Sequence, residues 1–389
     1  MKILLISSKY HPEYSGSGFR AHNTYKRLKD KYGLDFEVVC NAINFQGNKK
    51  YQHEEINIYR ISCPLKKPNF KGILYYGYLL FSFFWELYFI TSFLLKNKYD
   101  LLHTFGNSWT IGFSSLFFSI TKKPVVRELC NEMENPMYPI QFQRYIKKVF
   151  LKKNTMIVAI SERLAQKARN FDVVNIWTRF NPVNTNNFKI DFKNKYKFRN
   201  EFTPFNESDI VLAIVANIIP NKNQFFCLEV LKRLPENYKL LIAGPVKKEN
   251  RLYLDKLKSY INEKNLINRV FIKEGLILEM NQYISLSDVF LFPSLSEGLG
   301  TPVLEAQLCG VPVIANLIEG ITDTMIENKA GGFSLKLDPK EWAKKVEEAI
   351  EIQSNTLIEN SKELSYKCSS DIIDELYINK LTKLYETNR

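Results

Sequence analysis

The chain has 389 residues, of which 45% are hydrophobic and 24% charged, and its formal net charge is +13. A chain of this length is too long to fold around one ordinary hydrophobic core, so it predicts about two domains. The composition is that of a folded globular protein. The positive charge favours an anionic partner, such as a phosphorylated substrate or an anionic membrane face. It is not accompanied by a nucleic-acid-binding motif, so we expect no nucleic acid among the partners.

The cysteines and the first residues of the chain indicate the cellular compartment of the protein. Six cysteines are scattered along the chain without a CxxC pair. The first residues contain a short apolar run without a small-residue cleavage site, and this run predicts a first strand. Together these features predict reduced thiols, a cytoplasmic location and neither a zinc nor a redox site.

Strand-like apolar runs alternate with helical stretches in both halves of the chain. The runs lie at 2–7, 36–42, 56–62, 101–106, 124–129 and 156–161, and then at 210–217, 239–244, 269–275, 289–294 and 311–316. They are continuously apolar, which is typical of parallel strands covered on both faces. The pattern predicts an α/β protein with two doubly wound domains.

An Asn-rich stretch that is poor in aliphatic residues, 179–202, predicts the boundary between the domains. We assign residues 1–188 to an N-terminal domain and 189–368 to a C-terminal domain. The last stretch has apolar residues at helical spacing and predicts an amphipathic helix. We expect this helix, 369–389, to pack back on the N-terminal domain.

The segment 73–95 has three interpretations. It has 23 residues and a single charge, Glu86, so its length and hydropathy are sufficient for a transmembrane helix. A spanning helix would split the first sheet, which favours a crossover helix packed on that sheet. The third interpretation is a helix with one face on the sheet and the other in a bilayer interface, with flanking lysines favouring an anionic surface.

The stretch 291–315 predicts a strand, a glycine-rich turn and a helix: LFPSLSEGLGTPVLEAQLCGVPVIA. The turn then lies at the carboxyl edge of the sheet, where open α/β sheets bind ligands. We expect Thr301 as the N-cap and Pro302 as the first helical residue. Free N–H groups at a helix start favour an anion such as a pyrophosphate, and Gly298 and Gly300 let a ligand approach the backbone.

Two glutamates flank this turn. Glu297, before the helix, can accept hydrogen bonds from sugar hydroxyls, and Glu305, one turn into the helix, can reach a ribose diol. The competing interpretation is a capping box, in which the glutamate follows the cap by three positions. Glu305 follows Thr301 by four positions, so that register does not fit.

The stretch EGLGTPVLE resembles the E-x7-E motif of family 4 of the retaining glycosyltransferases. Further segments resemble the family in the expected order, at 2–18, 99–106, 156–164, 180–188, 215–224, 239–245 and 283–298, with a closing helix that ends in LYE. Together they span nearly the whole chain. The resemblance implies the GT-B fold, in which two Rossmann-like domains face each other across a cleft.

The resemblance also implies a binding site for a nucleotide-sugar donor. Glu297 would contact the transferred sugar, Glu305 the ribose, and Lys222 the diphosphate, which suits a compact point charge. The competing interpretation of Lys222 is a solvated loop lysine. The other implied donor-binding positions are Gly275 by the base, Gly298, Leu299 and Gly300 at the sugar, and Thr301, Pro302 and Val303 along the pyrophosphate.

The chain departs from the family pattern at two places. Asn217 stands where the family usually has an arginine that neutralises the diphosphate, and asparagine carries no charge. Many members have a histidine after the fifth strand, whereas this chain offers only Glu128, Asn131 and Glu132 there. We assign Glu128 to the acceptor side.

Two further candidates lie in the first domain. His103 is the best placed of the four histidines for a catalytic role, although a histidine at a strand end is more often structural. The stretch YSGSGF replaces the paired glycines of the family's first loop. Gly16 and Gly18 are expected in a flexible loop on the acceptor side, and the competing interpretation is a plain turn.

The resemblance implies a retaining, metal-independent transfer of a sugar from a nucleotide-sugar to a saccharide acceptor, without a cofactor. The basic charge, 73–95 and the stretch YIKKVFLKK, 145–153, favour a lipid-linked acceptor at the cytoplasmic face of the inner membrane, in polysaccharide or lipopolysaccharide synthesis. For 145–153 a solvated helix face is the alternative. The rival functions are a GT-B nucleotide-sugar epimerase and a catalytically inactive scaffolding or lipid-surface-binding homologue.

Overall fold

The computed structural model describes residues 1–13, 15–42, 44–68, 72–130, 154–171, 173–326 and 330–388. The chain forms two compact units. Unit 1 comprises Met1–Arg179 and Asp374–Arg389, and unit 2 comprises Phe180–Ile373. The division after Arg179 lies at the start of the Asn-rich stretch, earlier than the predicted boundary at 188.

Unit 1 is built on an eight-stranded sheet. Its strands are β1 (Lys2–Ser7), β2 (Asp35–Cys40), β3 (Lys49–His53), β4 (Ile56–Arg60), β5 (Leu101–Phe105), β6 (Val125–Leu129), β7 (Thr155–Ala159) and β8 (Ile176–Thr178). Their order in the sheet is β3-β4-β2-β1-β5-β6-β7-β8, and only the β3–β4 pair is antiparallel. The helices described in this unit before β8 are α1 (Gly16–Tyr32), α2 (Ile73–Lys96), α3 (Trp109–Ile120) and α4 (Glu162–Arg169). Strands β5, β6 and β7 are buried along their whole length, as expected for parallel strands covered on both faces.

Unit 2 contains a six-stranded parallel sheet. Its strands are β9 (Ile210–Val215), β10 (Tyr238–Gly244), β11 (Val270–Glu274), β12 (Val289–Phe292), β13 (Val313–Asn316) and β14 (Gly332–Leu335), in the order β11-β10-β9-β12-β13-β14. The helices are α5 (Lys195–Phe202), α6 (Gln224–Leu231), α7 (Arg251–Glu263), α8 (Met280–Ser285), α9 (Thr301–Leu308), α10 (Thr322–Met325), α11 (Pro339–Ile350), α12 (Ser354–Cys368) and α13 (Ser370–Thr387), whose last part belongs to unit 1. Strands β10 and β11 lie on one side of β9, and β12 to β14 lie on the other. The topological switch point of this sheet is therefore between β9 and β12.

The predicted fold class is confirmed, and each predicted strand is present to within a few residues of its predicted ends. Three strands were not predicted: β3, β8 and β14. All three lie at sheet edges. An edge strand has one unpaired side and less need for a continuous apolar run, and β3, with the sequence KKYQH, is mostly polar.

Helix α2 connects β4 to β5, which belong to the same sheet, so it is a crossover helix of unit 1. Its single acidic residue faces the protein, because the Glu86 carboxylate accepts hydrogen bonds from the backbone N–H and the hydroxyl of Thr110 at 3.0 and 2.7 Å. Thr110 lies in the first turn of α3, where a carboxylate is favoured by unpaired N–H groups. The charge in this apolar helix thus fixes α2 against α3.

Candidate functional site

Two loops meet at the switch point of the unit 2 sheet. Lys222 ends a 3₁₀ turn, Pro220–Lys222, in the loop after β9, and Glu297 lies in the loop after β12. The Lys222 ammonium donates a hydrogen bond to a Glu297 carboxylate oxygen. Their side chains are only 18% and 13% exposed, so this ion pair is largely withdrawn from solvent. The structure brings together two predicted site residues that are 75 positions apart in sequence.

The backbone holds the two loops in this register. The Leu295 N–H donates to the Asn221 carbonyl at 2.9 Å, and the Asn221 side-chain amide donates to the Ser296 carbonyl at 2.9 Å. These reciprocal bonds fix the residues immediately before Lys222 and Glu297. The ion pair is therefore a consequence of loop structure, and it does not depend on a chance contact between long side chains.

The N-terminus of α9 comes directly after the loop that contains Glu297. Gly300 has a φ of 87°, and a Cβ there would lie 2.9 Å from the Phe292 ring, so both the backbone and the packing require glycine. The expectation that Thr301 is the N-cap is wrong. Gly300 is the N-cap, Thr301 is the first helical residue, and its hydroxyl accepts a hydrogen bond from the Asn181 side chain at 3.0 Å.

This arrangement leaves the helix start without a side-chain cap. The Val303 N–H bonds to the Gly300 carbonyl at 2.9 Å. Pro302, which has no N–H, occupies the second helical position, and the buried Leu299 anchors the preceding turn. An uncapped helix N-terminus beside a lysine is a favourable environment for a phosphate group.

Glu305 lies one turn into α9. Among the described residues, no hydrogen bond or ion pair engages its carboxyl group. Burial raises the pKa of Glu305 to about 7 from its ordinary 4.5. A carboxylate that lacks a partner in the described structure and is held near its pKa at neutral pH is available to a ligand's hydroxyl groups.

The remaining donor-binding candidates lie at the same carboxyl edge. Gly275 follows β11 with a φ of 125°, and its N–H donates to the Gly244 carbonyl at 3.1 Å. Asn217 follows β9 and is exposed, and its carbonyl accepts a hydrogen bond from Gln224 at 3.0 Å. Gly298 is partly exposed beside Glu297. The structure therefore brings the predicted donor-side positions to the ends of β9, β11 and β12.

The unit 1 candidates His103 and Glu128 do not lie at a surface. His103 is 0% exposed in β5, with its Nδ1 2.7 Å from the Tyr25 hydroxyl. Glu128 is ion-paired with Arg179 and accepts a hydrogen bond from Tyr377 of α13 at 2.7 Å. Burial alone would raise the pKa of Glu128, but Arg179, His103 and Tyr377 hold it below its ordinary value. These contacts make both residues part of a buried network that joins α13 to the sheet, and they do not support the expected catalytic and acceptor roles.

Gly16 and Gly18 do not form the flexible loop that we expected. They lie in the first turn of α1, where the Ser15 side chain accepts a hydrogen bond from the Gly18 N–H at 3.0 Å. A Cβ on Gly18 would lie 2.3 Å from the Lys9 carbonyl oxygen. Gly18 is therefore required for close packing of the helix on the loop after β1, whereas a Cβ on Gly16 would meet no atom within 4 Å.

A cavity of 260 Å³ lies at the carboxyl edge of the unit 1 sheet, next to α2. Its lining is mixed, and its polar members include Ser8, Asn41, Ser62, Ser82 and Ser108. Hydroxyl and amide groups in a concave site are suited to hydrogen bonds with a saccharide. This cavity was not predicted, because its lining comes from six separate stretches of sequence without a shared motif.

Sequence analysis also missed two other features. Asn181, in the stretch FNPVNTNNF, contacts α9, which only the resemblance of that stretch to the family could have suggested. In unit 1, His11, His22 and His53 converge although no metal site was expected. Asn131, Glu132 and the stretch 145–153 lie outside the described residues.

Residues 196–365 match the family described as "Glycosyl transferases group 1". The chain is 23% identical over 377 residues to the uncharacterized glycosyltransferase MJ1178 of Methanocaldococcus jannaschii, covering 95% of this chain and 94% of that protein. It is 26% identical over 248 residues to the capsular polysaccharide biosynthesis glycosyltransferase CapH of Staphylococcus aureus, covering 60% of this chain and 66% of that protein. It is 28% identical over 150 residues to the Escherichia coli UDP-Gal:alpha-D-GlcNAc-diphosphoundecaprenol alpha-1,3-galactosyltransferase, covering 37% of each chain.

The structure is similar to crystal structures of GT-B glycosyltransferases. For Anabaena Alr3699/HepE in complex with UDP, the TM-score is 0.75 at 15% identity, covering 98% of this chain and 100% of that chain. For sucrose-phosphate synthase from Thermosynechococcus elongatus, the TM-score is 0.72 at 16% identity, covering 99% of each. The chain therefore has the GT-B fold, and the match to the group 1 glycosyl transferases lies in its unit 2.

The raised pKa of Glu305 predicts the pH dependence of stability. The folded chain keeps this proton between about pH 4.5 and pH 7, where the unfolded chain has lost it, so the free energy of unfolding falls as the pH rises through this window. We expect the free energy of unfolding of Glu305→Gln to exceed that of the wild type by about 3 kcal/mol at pH 8 and to equal it near pH 4. Denaturant unfolding across this range measures the difference. The exposed Glu359→Gln is the control, and parallel pH profiles for wild type and Glu305→Gln would contradict the assignment.

Proposed function

We propose that the chain is a retaining, metal-independent glycosyltransferase that moves a sugar from a nucleotide-sugar to a saccharide acceptor in cell-surface glycan synthesis. The observation that carries this proposal is the Lys222–Glu297 ion pair at the switch point of unit 2, beside the uncapped start of α9. It provides a cation, a carboxylate and a helix N-terminus at the sheet edge where ligands of open α/β sheets bind.

Donor binding exchanges the partners of this ion pair. Lys222 turns from Glu297 to the diphosphate, which carries more negative charge than one carboxylate. Glu297 is then released to accept hydrogen bonds from hydroxyls of the sugar. Since neither charge is left unpaired inside the site, the cost of separating a largely buried ion pair is offset by the ligand.

Glu305 contributes to recognition of the nucleoside. Its ionised carboxylate accepts hydrogen bonds from both ribose hydroxyls, which supply the partners that the described structure lacks. Gly275, after β11, lets the base approach the backbone. The HepE complexes with UDP and with UDP and glucose concern a protein of the same fold and support a uridine nucleotide as the first donor to test.

Negative charge develops on the leaving diphosphate as the glycosidic bond breaks. Lys222 and the positive end of the α9 dipole stabilise this charge, so that the reaction does not require a bound metal ion. Retention follows if the acceptor attacks the face that the diphosphate leaves, with a phosphate oxygen taking the acceptor proton. In this mechanism Glu297 orients the sugar and is not a covalent nucleophile.

We infer a lipid-linked saccharide as the acceptor. The E. coli relative is named for a diphosphoundecaprenol substrate and CapH for capsular polysaccharide biosynthesis, which supports the same chemical class here. The cavity beside α2 offers hydroxyl and amide groups for the saccharide. Its position next to an apolar helix suits a substrate whose other end is a lipid.

Helix α2 supports a location on the cytoplasmic face of a membrane. It is long and apolar enough to span a bilayer, but Glu86, Ile90 and Leu94 face the protein. The α2 apolar face, defined by Ile73, Leu74, Tyr76, Leu80, Phe84 and Tyr88, is exposed. Lys66 and Lys67 precede the helix, and Lys96 and Lys98 lie at its end, so the same region can contact acyl chains and anionic headgroups.

Substitutions at the ion pair test the enzymatic proposal. With a panel of nucleotide-sugars and lipid-linked saccharides, we expect Glu297→Gln and Lys222→Ala each to lower kcat by about 100-fold or more. The exposed Glu319→Gln and Lys256→Ala are the matched controls and should retain wild-type rates. Product stereochemistry by NMR tests retention, and chelator treatment tests metal independence.

The donor assay without an acceptor and a test of glycan assembly in cells separate the rival functions. Isomerisation of the donor without an acceptor would identify an epimerase. Glycan assembly in cells that proceeds unchanged with Glu297→Gln would contradict a catalytic role for the site and favour a scaffolding protein.

Sedimentation with vesicles tests the membrane proposal. We expect the chain to bind vesicles rich in phosphatidylglycerol, and Leu80→Ser or Phe84→Ser to weaken binding by about tenfold each, since each removes one large apolar side chain. Leu252→Ser and Leu278→Ser change apolar residues of unit 2 that are more exposed than Leu80 and Phe84, and they serve as controls. Equal binding by the α2 and control variants would contradict an α2 interface.

A further inference from the structure

Three of the four histidines in the chain converge in unit 1. His11 lies in the loop after β1, His22 lies in α1, and His53 ends β3. The nitrogen atoms that they can offer to a metal ion all lie within 4.8 Å of one another. The His11 and His53 rings stack with centroids 4.3 Å apart, and the His11 and His22 centroids are 4.7 Å apart.

A carboxylate completes this cluster. Glu54 Oε2 lies 3.1 Å from His22 Nε2, and Glu54 Oε1 lies 3.8 Å from His53 Nε2. Glu54 and Glu55 form the two-residue turn between β3 and β4, and both have positive φ values, 46° and 61°. Asparagine and glycine are the residues that usually occupy such a turn. Here a less favourable pair of glutamates is present, and the first of them is directed at the histidines.

Two hydrogen-bonding details indicate that the cluster can accept a ligand. The Nε2 atom of His11 is buried and has no hydrogen-bond partner among the described residues. The Nδ1 atom of His22 lies 2.9 Å from the Tyr10 hydroxyl, which fixes the ring and leaves Nε2 directed at the cluster. Such a second contact on a histidine ring is typical of metal ligands.

We propose that His11, His22, His53 and Glu54 form a binding site for one divalent transition-metal ion, with zinc as the best match. Three imidazole nitrogens and one carboxylate oxygen are a four-ligand set that suits tetrahedral Zn²⁺. With Zn–N bonds of about 2.0–2.1 Å, tetrahedral ligand atoms are about 3.4 Å apart, so the three histidine nitrogens close by up to roughly 1.4 Å on binding. Glu54, which lies outside the group of mutually close atoms, turns in from its contact with His22.

The bound ion would join three segments of unit 1 that are distant in sequence. These are the loop after β1, helix α1 and the β3–β4 hairpin, whose strand β3 is the polar edge of the sheet. A metal ion that binds the folded chain in preference to the unfolded one stabilises these segments. None of the four ligands belongs to the proposed donor site, so this role is structural and is separate from metal-independent transfer.

Metal titration of the full chain, prepared without a histidine tag and stripped with a chelator, tests the site. We expect one Co²⁺ per chain with the visible absorption of tetrahedral cobalt, displacement by Zn²⁺, and a rise in Tm with Zn²⁺. His53→Ala and His11→Asn should remove stoichiometric binding, and Glu54→Gln should weaken it by about tenfold or more.

The neighbouring turn residue provides the matched control, because Glu55→Gln changes the same turn without removing a proposed ligand. Circular dichroism confirms that each variant is folded before titration. The proposal is overturned if the wild type shows no stoichiometric binding, if both histidine variants bind as tightly as the wild type, or if cobalt–thiolate absorption shows that cysteines hold the ion.

Discussion

The ion pair between Lys222 and Glu297 determines how unit 2 can act. Two opposite charges with little solvent exposure stabilise each other only while they remain paired, and a ligand can separate them only if it supplies new partners. A diphosphate joined to a sugar supplies both, an anion for the lysine and hydroxyls for the carboxylate. In the proposed function, this ion pair therefore favours a ligand of this composition.

The parallel sheet makes that pairing possible. Parallel strands bring loops that are remote in sequence to one edge, and the reversal of strand order between β9 and β12 leaves a crevice between their loops. Unit 1 uses the same edge differently. There the strand ends border the cavity beside α2, while Glu128, Arg179 and Tyr377 bond to one another and fix α13 to the sheet.

Sequence predicted the inner strands and the turn around Glu297 because both have local signals, a continuous apolar run and a glycine-rich stretch before a helix. The edge strands β3, β8 and β14 lack such a signal. The same limit explains why sequence placed His103 and Glu128 in a site. A polar residue at a strand end is a site candidate until its partners are known, and the partners of Glu128, Arg179 and Tyr377, lie 51 and 249 positions away in sequence. The histidine cluster was missed because its members come together from a loop, a helix and a strand and share no sequence motif.

A crystal structure of the chain with an intact nucleotide-sugar tests the central claim most directly. We expect the diphosphate on Lys222 and the N-terminus of α9, the ribose hydroxyls on Glu305, and Glu297 moved from Lys222 to the sugar. A nucleotide-sugar bound elsewhere in unit 2, with the Lys222–Glu297 ion pair intact, would contradict it.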